Sequence, residues 1–211
     1  MNLVERINAL YKMNWEGWLI PESMNNLVQV LLQQQKDQIV GDMLEIGVFR
    51  GKFAVLLAAA LQPTEYLYLV DLFAPLPPGQ NMGSINNERD LLHWKQYPAF
   101  SEEQLLAKLK TVFDTVVMDH IHTVKCDSMA MPLQGSFRII HVDGNHALET
   151  ARHDIAYAFD HIMVGGTVIV DDWHHSGWPE VGKALIEALR GRSNIMVVNT
   201  DSAKCYLRRQ R

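Results

Sequence analysis

The sequence predicts a doubly wound α/β domain, a mainly parallel seven-stranded sheet with helices on both faces. Three observations carry this expectation. Short apolar runs rich in Val, Ile and Leu alternate with stretches whose apolar residues recur at helical spacing, the rhythm of strand and crossover helix. The first of these runs ends at Glu45, turns through Gly47 and Gly51, and enters a helix-forming stretch over 52–61; glycines so placed let the backbone turn sharply and approach a nucleotide-like ligand. About 20 residues beyond Gly51 a second apolar run, 66–71, ends in Asp71, where such folds place a carboxylate that grips ribose hydroxyls.

Ahead of the sheet, Leu3, Val4, Ile7, Leu10 and Tyr11 fall on one helical face, and a second amphipathic stretch over 24–38 is stopped by Gly41. These two helices make an N-terminal segment, 1–40. Trp15, Trp18 and Pro21 lie between them in an aromatic linker expected to pack against the core. Strands follow near 43–47, 66–71, 121–125, 138–142 and 167–170, separated by helical sequence, which implies parallel strands with crossovers on both faces. The helix after Asp143 shows its core face in Leu148, Ala151, Ile155, Ala158, Phe159 and Ile162. Another, after Pro179, shows Val181, Leu185, Ala188 and Leu189. Ser101 and Gln104 are spaced as a capping box that opens a helix. Two closing segments, 195–199 and 203–207, read as an antiparallel pair at the sheet edge. One stretch breaks the rhythm: 74–100 carries Pro75, Pro77, Pro78, Gly79, Gly83 and Pro98, and is expected to be a lid-like insertion.

With 211 residues, 48% of them hydrophobic, the chain can bury a full core and suits one domain, 1–211, better than two. The formal charge of -5, with acids and bases mixed along the chain, offers no basic face for a phosphate backbone, so nucleic acid is not an expected partner. Cys126 and Cys205 lie far apart in strand-like surroundings, as buried free thiols in a reducing cytosol do. No apolar run reaches membrane-spanning length and the N-terminus lacks a signal-peptide core, so the expected location is cytoplasmic.

In open α/β sheets ligands sit beyond the carboxyl ends of the strands. The acids at those ends are Glu45, Asp71, Asp127, Asp143, Asp171 and Asp172, and six carboxylates on one edge repel one another unless some hold a cation or ligand hydroxyls. If the strands ending at Asp143 and at Asp171-Asp172 are neighbours, those three acids can share a hard cation such as Mg²⁺ or Mn²⁺. The competing reading makes them helix caps. His146, close behind Asp143, is placed to act as a general base; His174 and His175 keep imidazole ligation of a softer metal open. His141, inside a strand, reads as a satisfied core residue. Asp127-Ser128 sits where an adenine edge could be reached.

The stretches 40–51, 70–73, 126–128, 141–144 and 165–173 together resemble class I S-adenosylmethionine-dependent methyltransferases, in particular the macrocin O-methyltransferase-like branch that acts on sugar hydroxyls. The resemblance covers roughly 40–189 and implies a Rossmann-like sheet. It implies that the loop from Glu45 through Gly47 to Gly51 holds the methionine part of the cofactor, Asp71 the ribose, and Asp127 and Ser128 the adenine. It also implies a divalent metal on Asp143, Asp171 and Asp172 that orients a small hydroxylated acceptor. Sugar-methylating members place a second acid two residues after the first metal aspartate, where this chain has Asn145; His146 or a metal-lowered hydroxyl pKa then takes over the proton.

Three other readings differ in what they need. A nicotinamide dehydrogenase would favour GxGxxG, whereas this chain has GxxxG behind Glu45. A metal-using relative of cephalosporin-hydroxylase type would share the acids but not the reaction. A cofactor-binding module without turnover would be consistent with Asn145. The amphipathic leading helices with Trp15 and Trp18 leave room for a homodimer.

Overall fold

A computed structural model describes residues 2–74 and 99–211. The lid-like insertion expected over 74–100 falls almost wholly outside the described residues. Helices α1 (Leu3–Lys12) and α2 (Pro21–Lys36) lead into β1 (Asp42–Ile46), α3 (Lys52–Ala58) and β2 (Leu67–Asp71). After the gap come α4 (Glu102–Leu109), α5 (Thr115–Met118), β3 (Ile121–Lys125) and β4 (Phe137–Val142). The chain closes with α6 (Leu148–His161), β5 (Ile162–Val170), α7 (Pro179–Leu189), β6 (Ile195–Thr200) and β7 (Cys205–Arg209).

The seven strands form one sheet in the order β3-β2-β1-β4-β5-β7-β6. β1 to β5 pair in parallel, while β7 runs antiparallel to both β5 and β6. The expected fold is therefore the observed one. Chain order reverses between β1 and β4, and the loops leaving those two strands diverge, which opens the crevice where ligands of doubly wound sheets bind.

Period-2 alternation in the strands divides the core into two layers. Met43, Leu67, Leu69, Ile139 and Ile169 face α1 to α4, where they meet Ile7, Leu27, Leu31, Phe53 and Leu105. Leu44, Ile46, Ile140, Val168 and Val170 face α6 and α7, where they meet Ile155, Phe159, Val181 and Leu185. Strands buried on both faces read as continuous apolar runs, which is how they show in the sequence.

Local signals explain the helix ends. Asn2 and Glu5 form a capping box on α1, and Ser101 and Gln104 form the expected one on α4. Pro21, read as linker, is instead the opening residue of α2, where its missing N–H costs nothing. β5 starts at Ile162, five residues ahead of the expected strand, because Ile162 caps α6 in extended backbone rather than continuing its apolar stripe. Trp15 is buried and its indole N–H donates to the Arg50 carbonyl at 2.8 Å, as the packing reading expects, whereas Trp18 is exposed and stacks on Phe49 at 5.1 Å. Both cysteines are free thiols. No helix among the described residues is long and apolar enough to cross a membrane.

Candidate active site

The turn after β1 is built around two glycines with different jobs. Gly47 has φ +84°, and a Cβ there would lie 1.9 Å from the Asp143 carbonyl oxygen, so only glycine lets this turn pass the end of β4. Gly51 caps α3 in a left-handed conformation, and a Cβ there would meet Leu105 Cδ1 at 2.4 Å. Its bareness admits α4 against α3. Between strand and turn, Glu45 is buried; its Oε1 lies 3.2 Å from His141 Nδ1 and its Oε2 has no hydrogen-bond partner. Burial, then the charge of Asp143, raises the Glu45 pKa well above the usual carboxylate range.

β4 and β5 are neighbours with Val142 beside Val170, so Asp143 and Asp171-Asp172 do emerge together. Asp172 takes φ +53°, a left-handed backbone that aspartate tolerates better than most residues. Asp143, His146 and Asp172 bring one ligand atom each within 4.8 Å of one another, as do His141, Asp143 and Asp171. The Asp143 carboxyl is pushed up to about 7, by desolvation first and by Asp171 second. His146 is buried, with Nε2 3.3 Å from Asp172 Oδ2 and 4.0 Å from Asp143 Oδ1, yet neither ring nitrogen makes a well-directed hydrogen bond. Burial alone would lower its pKa, but the surrounding aspartates outweigh burial and raise it. Trp178 backs the ring at 4.5 Å.

Opposite these acids lies a buried cation, Lys204, in the last residue before β7. Its ammonium donates to Asp171 Oδ2, lies 3.1 Å from His141 Nε2 and sits 5.1 Å over the Phe53 ring. Burial, then the charge of Lys204, pushes the His141 pKa well below 6.5, so the ring is neutral. An ammonium can only donate, so Nε2 accepts from Lys204 and Nδ1 carries the proton shared with Glu45. The hydrogen-bonded chain Glu45, His141, Lys204, Asp171 therefore runs along the sheet edge from β1 across β4 to the ends of β7 and β5.

Glu45, His141, Asp143, His146, Asp171, Asp172 and Lys204 line a cavity of about 390 Å³ together with Trp18, Phe49, Phe53 and Trp178. It has the volume of a small-molecule site. A family model described as a methyltransferase domain matches residues 44–173, more than half of the chain. The chain belongs to this methyltransferase family. That bears out the resemblance at the level of class. Among solved structures, the O-methyltransferase NovP is 20% identical over 89% of this chain and 79% of its own, with a TM-score of 0.72. The calicheamicin methyltransferase CalS11, a TDP-rhamnose 3'-O-methyltransferase, is 16% identical over 98% of this chain and 91% of its own, with a TM-score of 0.63. The O-methyltransferase TomG from Streptomyces achromogenes, solved with S-adenosylmethionine, is 18% identical over 99% of this chain and 89% of its own, with a TM-score of 0.58. At such identities these neighbours show the fold. No curated protein matches the chain in sequence.

In this methyltransferase the expected site residues divide. Glu45, Asp143, His146, Asp171 and Asp172 line the cavity together. Asp71 instead braces the glycine turn: Oδ2 accepts the Val48 and Phe49 amides at 2.7 and 2.9 Å, and Oδ1 accepts that of Phe73 at 2.8 Å. Asp127 caps the short turn at Met129, and the Ser128 hydroxyl donates to buried Asp154 at 3.0 Å. Gly51, as seen, packs against α4 rather than the cavity. His174 belongs to neither candidate ligand group, nor does His175, although His175 lines the cavity. The sequence reading missed Lys204 and did not name the partners of His141. His141 is buried as expected, but its ring joins Glu45 to Lys204.

Proposed function

We propose that the protein is an S-adenosylmethionine-dependent O-methyltransferase acting on a small hydroxylated acceptor, assisted by a divalent metal. The observation that carries this is the convergence of Glu45, Asp143, His146 and Asp172 on one cavity, with Glu45 Oε2 and both His146 ring nitrogens lacking hydrogen-bond partners. Buried polar atoms without partners are costly, and a ligand that supplies the partners removes that cost.

The residues fit both groups. Glu45 Oε2 and the turn at Gly47 would take the methionine end of the cofactor. Asp71, whose oxygens already accept the Val48, Phe49 and Phe73 amides, would serve the ribose side by holding that turn, and Asp127 and Ser128, outside the cavity lining, would lie toward the adenine. When bound, S-adenosylmethionine supplies a methyl group already activated on a sulfonium. Asp143, Asp171 and Asp172 would hold the metal, since these three carboxylates face one ammonium here and oxygen donors suit a hard ion such as Mg²⁺ or Mn²⁺. When bound, such an ion supplies a Lewis acid that lowers the pKa of a coordinated hydroxyl.

The chain's own part is positioning and proton transfer. Trp18, Phe49 and Trp178 wall the cavity and limit water, which matters because hydrolysis competes with methylation. His146, whose Nε2 lies at the cavity beside Asp172, would take the proton of the acceptor hydroxyl. Asn145 cannot do this: its Oδ1 accepts the Ala147 amide at 2.8 Å, shaping the start of α6. A sugar hydroxyl is the acceptor class that the macrocin-like resemblance favours, and the fold likeness to CalS11 supports it.

The test is methyl transfer from S-adenosylmethionine to a panel of sugar and catechol hydroxyls. EDTA should stop transfer and Mg²⁺ or Mn²⁺ should restore it. Full activity in the chelated enzyme would return the aspartates to the role of caps.

A further inference from the structure

The acidic edge is divided into an occupied half and an open half. In the occupied half, both Asp171 oxygens already accept a hydrogen bond: Oδ2 from Lys204, and Oδ1 from the Asp172 amide at 2.9 Å. Lys204 is nearly inaccessible to solvent, and its position is fixed by three further contacts. Its backbone amide donates to Asp201 Oδ1 at 2.7 Å, its ammonium contacts His141 Nε2 at 3.1 Å, and its stem leads the ammonium over Phe53. In the open half, Asp143, His146 and Asp172 face the cavity with His146 lacking a hydrogen bond.

We propose that Lys204 is the site's resident cation and competes with a divalent metal for Asp171, so that it weakens metal binding and sets which acids hold the ion. This rests on the metal reading of the site. An ammonium beside a dication is repelled by it, and in a desolvated pocket that repulsion is poorly screened. A metal that engages Asp171 must also break the Lys204 ion pair and leave the ammonium with His141 Nε2 as its hydrogen-bond partner. Without metal, the Lys204 ammonium, paired with Asp171, offsets the repulsion among the acids of this edge. The ion is therefore held chiefly through Asp143 and Asp172, and Asp171 joins only as Lys204 lets go.

The experiment is calorimetric titration of Mn²⁺ into wild type and Lys204→Met, in the absence of cofactor and acceptor. Removing the ammonium frees one carboxylate oxygen and deletes one positive charge, so Lys204→Met should bind Mn²⁺ at least tenfold more tightly. Detectable binding in the variant alone has the same meaning. Equal or weaker binding by the variant, with wild type still binding, overturns the competition while leaving the metal reading intact. Absence of binding in both removes the two together. If Lys204→Met does not fold, ¹⁵N NMR of the lysine ammonium groups in wild type answers the same question under Mg²⁺ titration. The buried, slowly exchanging ammonium should shift as Mg²⁺ saturates. An unmoved resonance at saturation, or no Mg²⁺ bound at all, overturns the proposal.

Discussion

Two residues show how a single side chain sets chemistry here or holds it in place. His146 is the imidazole at the open half of the site, its ring set between Asp172 and Trp178. General-base catalysis contributes about 10²- to 10⁴-fold, so His146→Asn should lower kcat by that order while S-adenosylhomocysteine binding stays unchanged, since the loop proposed to hold the cofactor follows β1. Transfer within threefold of wild type would assign the proton elsewhere. Asp201 holds the β6–β7 turn, and with it Lys204, by accepting from Ser23, Asn26, Ala203, Lys204 and Tyr206. Burial pushes its pKa up, but the hydrogen bonds from Lys204, Ala203, Asn26 and Ser23 together win and lower it below the ordinary 3.8. A depressed folded pKa gives stability that is present above the unfolded value and lost as pH falls through the folded one. Asp201→Asn should therefore cost about 1.5–3 kcal/mol at pH 7. The gap from wild type, read by urea unfolding, should be flat above pH 5 and narrow below pH 4. A gap that widens in acid would contradict this assignment.

At the level of elements, β4 ties the sheet to its helices through one buried cation. Arg138 donates to Glu65 Oε1 and Oε2 at 2.7 and 2.8 Å, to Gln34 Oε1 of α2 at 2.9 Å and to the Ala60 carbonyl after α3 at 3.0 Å. Breaking such a pair strands the partner carboxylate, so Arg138→Met should destabilise by about 3–5 kcal/mol, and Arg138→Met with Glu65→Gln should recover part of it. A double variant no more stable than the single would show that the pair is not the source. The same elements show what a sequence discloses. The strands bounded by Glu45, Asp71 and Asp143 were legible because a strand buried on both faces must be apolar and its polar end must lie at the edge. Lys204 was not, because β7 is antiparallel: the residue that reaches the ligand edge precedes its strand, where no rule about strand carboxyl ends looks. His141 is the buried, satisfied strand residue the sequence suggests, but its partners, Glu45 and Lys204, show only once the sheet order brings β1 and the approach to β7 near β4. The engagement of Asp71 with the Val48 and Phe49 amides also depended on how a turn folds back, which spacing alone does not state.

For the molecule as a whole, the site draws on both halves of the sheet and on the N-terminal segment. Glu45 comes from β1, Asp143, Asp171 and Asp172 from just beyond the ends of β4 and β5, Lys204 from the approach to β7, while Gly17, Trp18 and Ser23 close one wall from the segment ahead of the sheet. A ligand bound across these parts holds them together only in the folded state, so its binding must raise global stability by RT ln(1 + [L]/Kd), about 2.7 kcal/mol at a hundredfold excess over Kd. For a chain of this size that is a rise in Tm of roughly 5–10 °C with S-adenosylhomocysteine. On the proposed reading the cofactor meets the Glu45 turn and the metal meets Asp143, Asp171 and Asp172, so the shift should persist in EDTA. Gly47→Ala, whose Cβ would collide with the Asp143 carbonyl, should lower Tm in the free protein and abolish the ligand-induced rise. No rise for wild type at millimolar ligand would remove S-adenosylmethionine from the proposed function, whereas a rise that vanishes with EDTA would place the metal and the cofactor in one interdependent site.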